Sequence, residues 1–443
     1  MISVKKTAFW TGILVFFLLF TGFPAFSQRY LSDIDSSFFI KDTVRPVIKR
    51  FENLRFTGYI QPQYQVAQSE GAPSYTGGNF SAFSKSRFML RRARVKMDYM
   101  MPSRSKFPLA VFSFQIDATE RGVVVRDMFL KLFETRKNIF SMTTGIFARP
   151  FGYEVNLSSA FRETPERGRM SQILMPTERD LGVMASFEPQ DKKHPLSHIK
   201  FDLGFFNGQG LSGTTDFDSH KDVISRLFIK PYKLNKLEFT GGLSLLLGGW
   251  KNGTKYVYSH GTNNAGDIIF TVDSAITNLE KTAERRYYGA DLQVKLHHGW
   301  GETEWRAEYW GGEQPGTATS TTNPGAIPNN NGVPLPTYLR RFDGAFLLFL
   351  QNIVNHKHQL MLKYDWYDPN TKVSKAQIGK AGTNLTSADI KFSTLGIGYG
   401  FQVNPQTRLI LYYDIVKNEI TELTGYKTDL KDNILTCRLH FRF

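Results

Sequence analysis

Basic side chains recur at every second position in two stretches of this chain. In one, Arg92, Arg94 and Lys96 alternate with Ala93, Val95 and Met97; in the other, Arg438, His440 and Arg442 alternate with Leu439, Phe441 and Phe443. Alternate residues of an extended strand share a face, so each stretch would show one cationic face and one apolar face. Arginine presents a planar fork that can hold a carboxylate or phosphate bidentately, and rows of Arg and Lys lining a pore favour anions. The chemistry open to these residues is therefore electrostatic recognition of anions, with no bond made or broken. Nucleophilic catalysis would need a nucleophile, a base and an orienting group within reach of one another. The spacing supplies none: His440 has no serine partner evident in sequence, so no enzyme is expected. His297, His298, His356 and His358 fall in expected turns and imply no metal, and no other cofactor is implied.

The elements that must position these residues are strands. Alternating segments recur near 54–66, 87–101, 107–117, 123–133, 139–148, 180–187, 199–206 and 222–230, then near 237–248, 287–296, 302–310, 342–350, 358–367, 392–402, 408–416 and 433–443. Each is close to the ~9–11 residues of a tilted membrane strand. Short turns near 101–103, 231–233, 298–300 and 404–406 alternate with long connections near 67–83, 149–179, 249–286, 311–341 and 368–391, the link at 118–122 being a short exception. An even strand number, that asymmetry and the terminal Phe443 predict an all-β fold: a transmembrane antiparallel β-barrel of sixteen strands over 51–443, with both of its ends periplasmic. A mean hydropathy of −0.30 fits, because only half of each strand faces lipid. Aromatic residues at 14 % suit interfacial girdles. A plugged transporter of ~22 strands would need more chain, whereas a barrel of ~16 leaves an aqueous channel.

Lys5 and Lys6, the apolar run at 8–20 and Ala25-Phe26-Ser27 predict a signal peptide over 1–27, cleaved after Ser27. The run falls short of the ~20 residues that span a bilayer as a helix. Residues 28–50 lack alternation and are expected to be a periplasmic lead-in. The expected location is an outer membrane of the Gram-negative type, in contact with its lipid. Formal net charge is +15, and export argues against nucleic acid as the partner. The single cysteine, Cys437, excludes an internal disulfide and falls by parity on the lipid face.

Closing such a barrel makes its last two strands neighbours of its first two. Their inward positions carry Arg55, Arg92, Arg94, Lys96, Arg408, Arg438 and Arg442 against Asp98 and Asp414. This is the expected anion-selectivity wall. A second reading stays open, in which these groups are ordinary solvated charge along a wide lumen. On a distant wall, Glu302, Glu304 and Glu308 stand against Arg306, which predicts a field across the lumen.

Four segments carry a family resemblance. They are Arg87-Phe88-Met89-Leu90-Arg91-Arg92-Ala93-Arg94-Val95-Lys96, the pair Arg126-Asp127, Gly145-Ile146-Phe147-Ala148-Arg149-Pro150-Phe151-Gly152, and Pro176-Thr177-Glu178-Arg179-Asp180-Leu181-Gly182-Val183. In that order they resemble the phosphate- and polyphosphate-selective porin family, the outer-membrane porin O and P type, most closely over 55–210. The resemblance implies a homotrimer of sixteen-stranded barrels with an inward-folded third extracellular loop, and anion selectivity carried by lumen Arg and Lys. The third long loop, 149–180, would then form the constriction, with Arg149, Arg162, Arg167, Arg169 and Arg179 balanced by Glu154, Glu163, Glu166, Glu178 and Asp180. The expected function is passive diffusion of small anions, phosphate or polyphosphate included. The balanced loop keeps an alternative open: a general diffusion porin for small hydrophilic solutes with mild anion preference.

Overall fold

A computed structural model describes residues 52–103, 107–213 and 215–443. The expected signal peptide at 1–27 and lead-in at 28–50 lie outside the described residues. The first strands are β1 (Leu54–Ala67), β2 (Ser86–Met101), β3 (Ala110–Thr119), β4 (Gly122–Phe133), β5 (Phe140–Ala148), β6 (Arg179–Phe187), β7 (Ile199–Phe206), β8 (Asp222–Leu234) and β9 (Leu237–Lys251). After them come β10 (Val257–Thr262), β11 (Ile268–Asp273), β12 (Thr282–His298), β13 (Gly301–Gly316), β14 (Asn329–Asn330), β15 (Val333–Pro334), β16 (Thr337–Ile353), β17 (Asn355–Asp368), β18 (Phe392–Asn404), β19 (Thr407–Asn418) and β20 (Ile434–Arg442).

Among the described residues, sixteen of these form one closed antiparallel barrel, as the alternation predicts. The barrel closes where β20 pairs with β1, with Tyr59 opposite Arg442 and Gln63 opposite Arg438. Side-chain parity explains the wall. Phe56, Ile60 and Tyr64 of β1 are exposed outward, while Tyr59, Gln61, Gln63 and Gln65 are buried inward. In β20, Leu435, Leu439 and Phe441 face out and Thr436, Arg438 and His440 face in. An apolar exterior around a largely polar interior is the arrangement lipid imposes on a barrel. Gly58 lets the seam shut: its N–H donates to the Phe443 carbonyl at 3.1 Å and its carbonyl accepts from Phe443 N–H at 3.0 Å. A Cβ there would sit 2.6 Å from the Arg94 carbonyl.

One end of the barrel carries tight turns at 235–236, 299–300, 354 and 405–406 with longer links at 102–109, 134–139 and 188–198, and the other carries the long connections, with 120–121 as its short exception. Leu54 and Arg442 lie at the short-turn end. Several strands are longer than the alternation predicts. The segment expected at 287–296 runs Thr282–His298, that at 302–310 runs Gly301–Gly316, and that at 342–350 runs Thr337–Ile353. Towards the long-connection end their outward residues become charged: Arg286 pairs with Glu284, and Arg341 with Glu313 at 3.3 Å. The connection expected to be loop at 249–286 also contains the β10–β11 hairpin, which touches β16 at its edge. Among the described residues no helix is long and apolar enough to cross a membrane, which says nothing about crossing by strands.

Candidate functional site

The connection between β5 and β6 enters the lumen and is fixed to several walls. Gly152, at φ +67°, turns it inward; a Cβ there would collide with Glu308 and crowd the Trp310 ring. Glu308, expected as one acid of the distant wall, accepts the N–H groups of Tyr153 and Glu154 at 2.8 and 2.9 Å and the indole N–H of Trp310 at 2.7 Å. Phe151 stacks edge-on against Trp310, with ring centroids 4.7 Å apart. The short helix α1 (Arg169–Leu174) buries Met170, Ile173 and Leu174 in a cluster with Phe206, Ile224, Leu246, Tyr287, Phe342 and Tyr367 from the inner wall. Removing this apolar surface from lumen water holds that half of the loop in place.

The middle of the loop crosses to the seam. Glu166 there accepts three guanidinium groups: Arg92 at 2.6 Å, Arg91 at 2.9 Å and Arg438 at 2.9 Å. Arg438 also donates to the Pro165 carbonyl at 2.5 Å and to Gln63 at 2.8 Å. Burial by itself would raise the Glu166 carboxyl, but Arg91, Arg92 and Arg438 outweigh it and hold the group well below the usual carboxylate range. Next to this hub, Ser159 Oγ lies 2.6 Å from the Tyr59 hydroxyl, and Gln61 donates to the Ser159 carbonyl at 2.9 Å.

Two of the resembling segments meet where the loop returns to the wall. Arg126 pairs with Glu178, and Arg179 pairs with Asp127 at 2.9 Å, so the adjacent charges of one segment answer those of the other. Arg167 adds to Glu178 at 3.4 Å. Burial opposes ionisation of Glu178, yet Arg126, Arg167 and Arg179 bring it well below the ordinary value. On the far wall, Glu163 binds Arg306 at 2.6 Å and Glu154 binds Lys363 at 2.7 Å.

The expected site residues therefore fall into distinct groups. Of the constriction arginines, Arg149 donates to the Thr177 carbonyl, Arg162 to the carbonyls of Glu154 and Leu157, and Arg167 to those of Ser171 and Met175. Arg169 lies over the rings of Tyr75 and Phe392, at 4.5 and 4.0 Å, and Arg179 is in the return pair. All five carry structural contacts that shape or anchor the loop. Of the seam wall, Arg92 and Arg438 are committed to Glu166, Arg94 to Asp117 at 2.8 Å and Lys96 to Asp98 at 3.0 Å. Arg55, Arg408 and Arg442 have no ion-pair partner among the described residues; Arg408 donates to the Arg162 carbonyl at 2.6 Å and Arg442 to that of Pro405 at 3.3 Å.

Three residues make contacts that the sequence did not assign to them. Asp117 stands directly opposite Arg94 in the β2–β3 register, an acid that a count restricted to the seam strands leaves out. Glu166 counted only as one of five loop negatives, although it is the hub. Glu308 counted as lumen charge, although it anchors backbone. Beneath the loop, towards the short-turn end, a cavity of about 480 Å³ remains between β12–β13 and β18–β20.

The chain is similar in fold to solved outer-membrane channels. OprB of Pseudomonas putida superposes with a TM-score of 0.55 at 11 % identity, covering 91 % of this chain and 96 % of that one. DcaP of Acinetobacter baumannii gives 0.53 at 11 %, covering 88 % and 97 %. An anion-selective porin from Comamonas acidovorans gives 0.51 at 12 %, covering 88 % and 99 %. No protein family and no curated protein matches the chain. At these identities what is shared is the architecture: a sixteen-stranded porin-type barrel.

Proposed function

We propose that this chain is an outer-membrane diffusion channel for small hydrophilic solutes, with a mild preference for anions, phosphate among them. The observation that carries the reading is a loop held inside a closed barrel by ion pairs to separate walls: Glu166 to β2 and β20, Glu163 to β13, and Glu178 to β4. A loop fixed in this way narrows an aqueous lumen. The preference is mild because four of the seven wall cations are ion-paired, to three carboxylates: Arg92 and Arg438 share Glu166, Arg94 has Asp117 and Lys96 has Asp98. Arg55, Arg408 and Arg442, towards the short-turn end, are left to attract anions. The reading includes export by the leader at 1–27, contact with outer-membrane lipid, and a homotrimeric assembly, the last resting on the motif resemblance alone. A dedicated phosphate or polyphosphate pathway rests on the same motifs, most of whose charged residues are engaged in holding the loop.

Liposome swelling tests the proposal. Vesicles carrying the full chain should swell in iso-osmotic small sugars and amino acids, faster for small solutes than for large ones. Vesicles that stay as tight as protein-free controls would remove the channel function.

A further inference from the structure

The cavity beneath the loop combines two features that an inorganic anion does not need together. One side is cationic. Arg408 and His440 face each other across the β19–β20 ladder, and Arg442 follows two positions on along the same face. Neither arginine has a carboxylate partner among the described residues, and the buried Nε2 of His440 has no hydrogen-bond partner. The other side is apolar: Leu157, Ala160 and Phe161, on the underside of the loop, line the same space. Phe161 is 58 % exposed although it hangs inside the barrel, and the Arg442 guanidinium lies 5.0 Å from its ring centre. The carboxylates that share the lining point to other cations, Glu163 to Arg306 at 2.6 Å, which Glu304 also holds at 2.7 Å, and Glu302 to Lys295 at 3.5 Å. Among the described residues, the lining arginines without an ion pair are thus Arg408 and Arg442, beside an uncovered ring.

We propose that this cavity is a binding site for organic carboxylates with an apolar or aromatic body. The proposal rests on the channel reading above and names the solute class that would dwell in it. At about 480 Å³ the space falls within the range of small-molecule pockets and far exceeds an inorganic ion. The carboxylate would lie at Arg408 and Arg442, where an arginine fork can donate to both of its oxygens. The body would lie against Phe161 and Leu157, an aromatic ring pairing edge-on or offset with Phe161. The site faces the short-turn end, so a solute that has passed the loop would pause there before leaving.

The test uses the folded full chain in detergent, with 4-fluorobenzoate as the probe followed by ¹⁹F line broadening, and inorganic phosphate as competitor. Fluorobenzoate should bind, and phosphate should displace it poorly. Arg408→Gln should weaken binding roughly tenfold or more, as loss of a charge-assisted hydrogen bond implies. Phe161→Ala should weaken it by roughly threefold to tenfold, the size of an aromatic pair contact. Phe161 is largely exposed on the loop, so that variant keeps a folded barrel even if Arg408→Gln does not. Equal affinity for phosphate and fluorobenzoate, or binding indifferent to Phe161→Ala, would overturn the site. Conductance of the same preparation separates the two claims. A conducting channel that does not bind the probe loses the site and keeps the channel, whereas binding without conductance supports the site and removes the channel.

Discussion

Replacing Glu166 by Gln is the sharpest perturbation of the loop. One carboxylate serves Arg91, Arg92 and Arg438 at 2.6 to 2.9 Å, and the side chains of Arg92 and Arg438 are 6 % and 2 % exposed. Removing one partner of a buried ion pair costs about 3–5 kcal/mol, because the remaining charge is left uncompensated. Two circumstances place this case near the lower end. The amide oxygen of Gln can still accept one guanidinium, and Arg91, at 27 % side-chain exposure, can turn to water. A cost of about 3 kcal/mol is roughly two decades in the equilibrium between the docked and released loop. Hydrogen exchange reads that equilibrium. The amide of Gly168, bonded to Glu154 at 2.8 Å, and those of Tyr153 and Glu154 on Glu308 should lose about a hundredfold in protection, while amides of β9 keep theirs. Adding Arg92→Gln should restore part of the protection, since one of the stranded charges is then gone. Loop protection that changes by less than about threefold in Glu166→Gln would refute the assignment of Glu166 as the latch, because a ~3 kcal/mol loss cannot leave so small a trace.

Other consequences follow from the same contacts. The carboxyls of Glu166 and Glu178 are held well below their ordinary value, so the stabilisation they give is complete above about pH 4.3 and disappears as pH falls through their lower folded values. The part of loop protection that is lost in Glu166→Gln should therefore be unchanged from about pH 8 to pH 5 and disappear only in stronger acid; a midpoint near neutrality for that part would contradict this. Gly152→Ala places a methyl group against Glu308 at φ +67° and should undock the start of the loop by about 1–3 kcal/mol, read as loss of the Tyr153 and Glu154 protection with barrel melting unchanged. Coordinated loss of barrel and loop stability would show that the two are one cooperative unit.

The barrel was legible in the chain because lipid imposes a strict period. Strand order, closure at β20–β1 and the alternation of long and short connections all follow from residues such as Leu435, Leu439 and Phe441 recurring in register. The lumen was less legible, because its inner face answers to the loop and not to lipid. Leu245-Leu246-Leu247 of β9 breaks the alternation: Leu247 faces out at 42 % exposure, while Leu246, fully buried, meets the loop's apolar cluster. Phe346, Leu348 and Leu350 of β16 do the same near Tyr153. Such breaks mark where an inner wall is dry, and they were the available signal for the loop's seat. The charge pattern was only partly legible for a related reason. Arg92, Arg94 and Arg438 sit on the inner face as parity requires, but their partners Glu166 and Asp117 come from a loop and a strand outside the seam.

The most direct test of the account is the reversal potential of single channels in a planar bilayer under a KCl gradient, for the native chain and for Arg408→Gln with Arg442→Gln. The account predicts an open channel whose reversal potential lies modestly on the chloride side and moves towards zero when the two unpaired arginines at the short-turn end are neutralised. A cation-selective reversal potential, or an anion preference unchanged in the double variant, would contradict it.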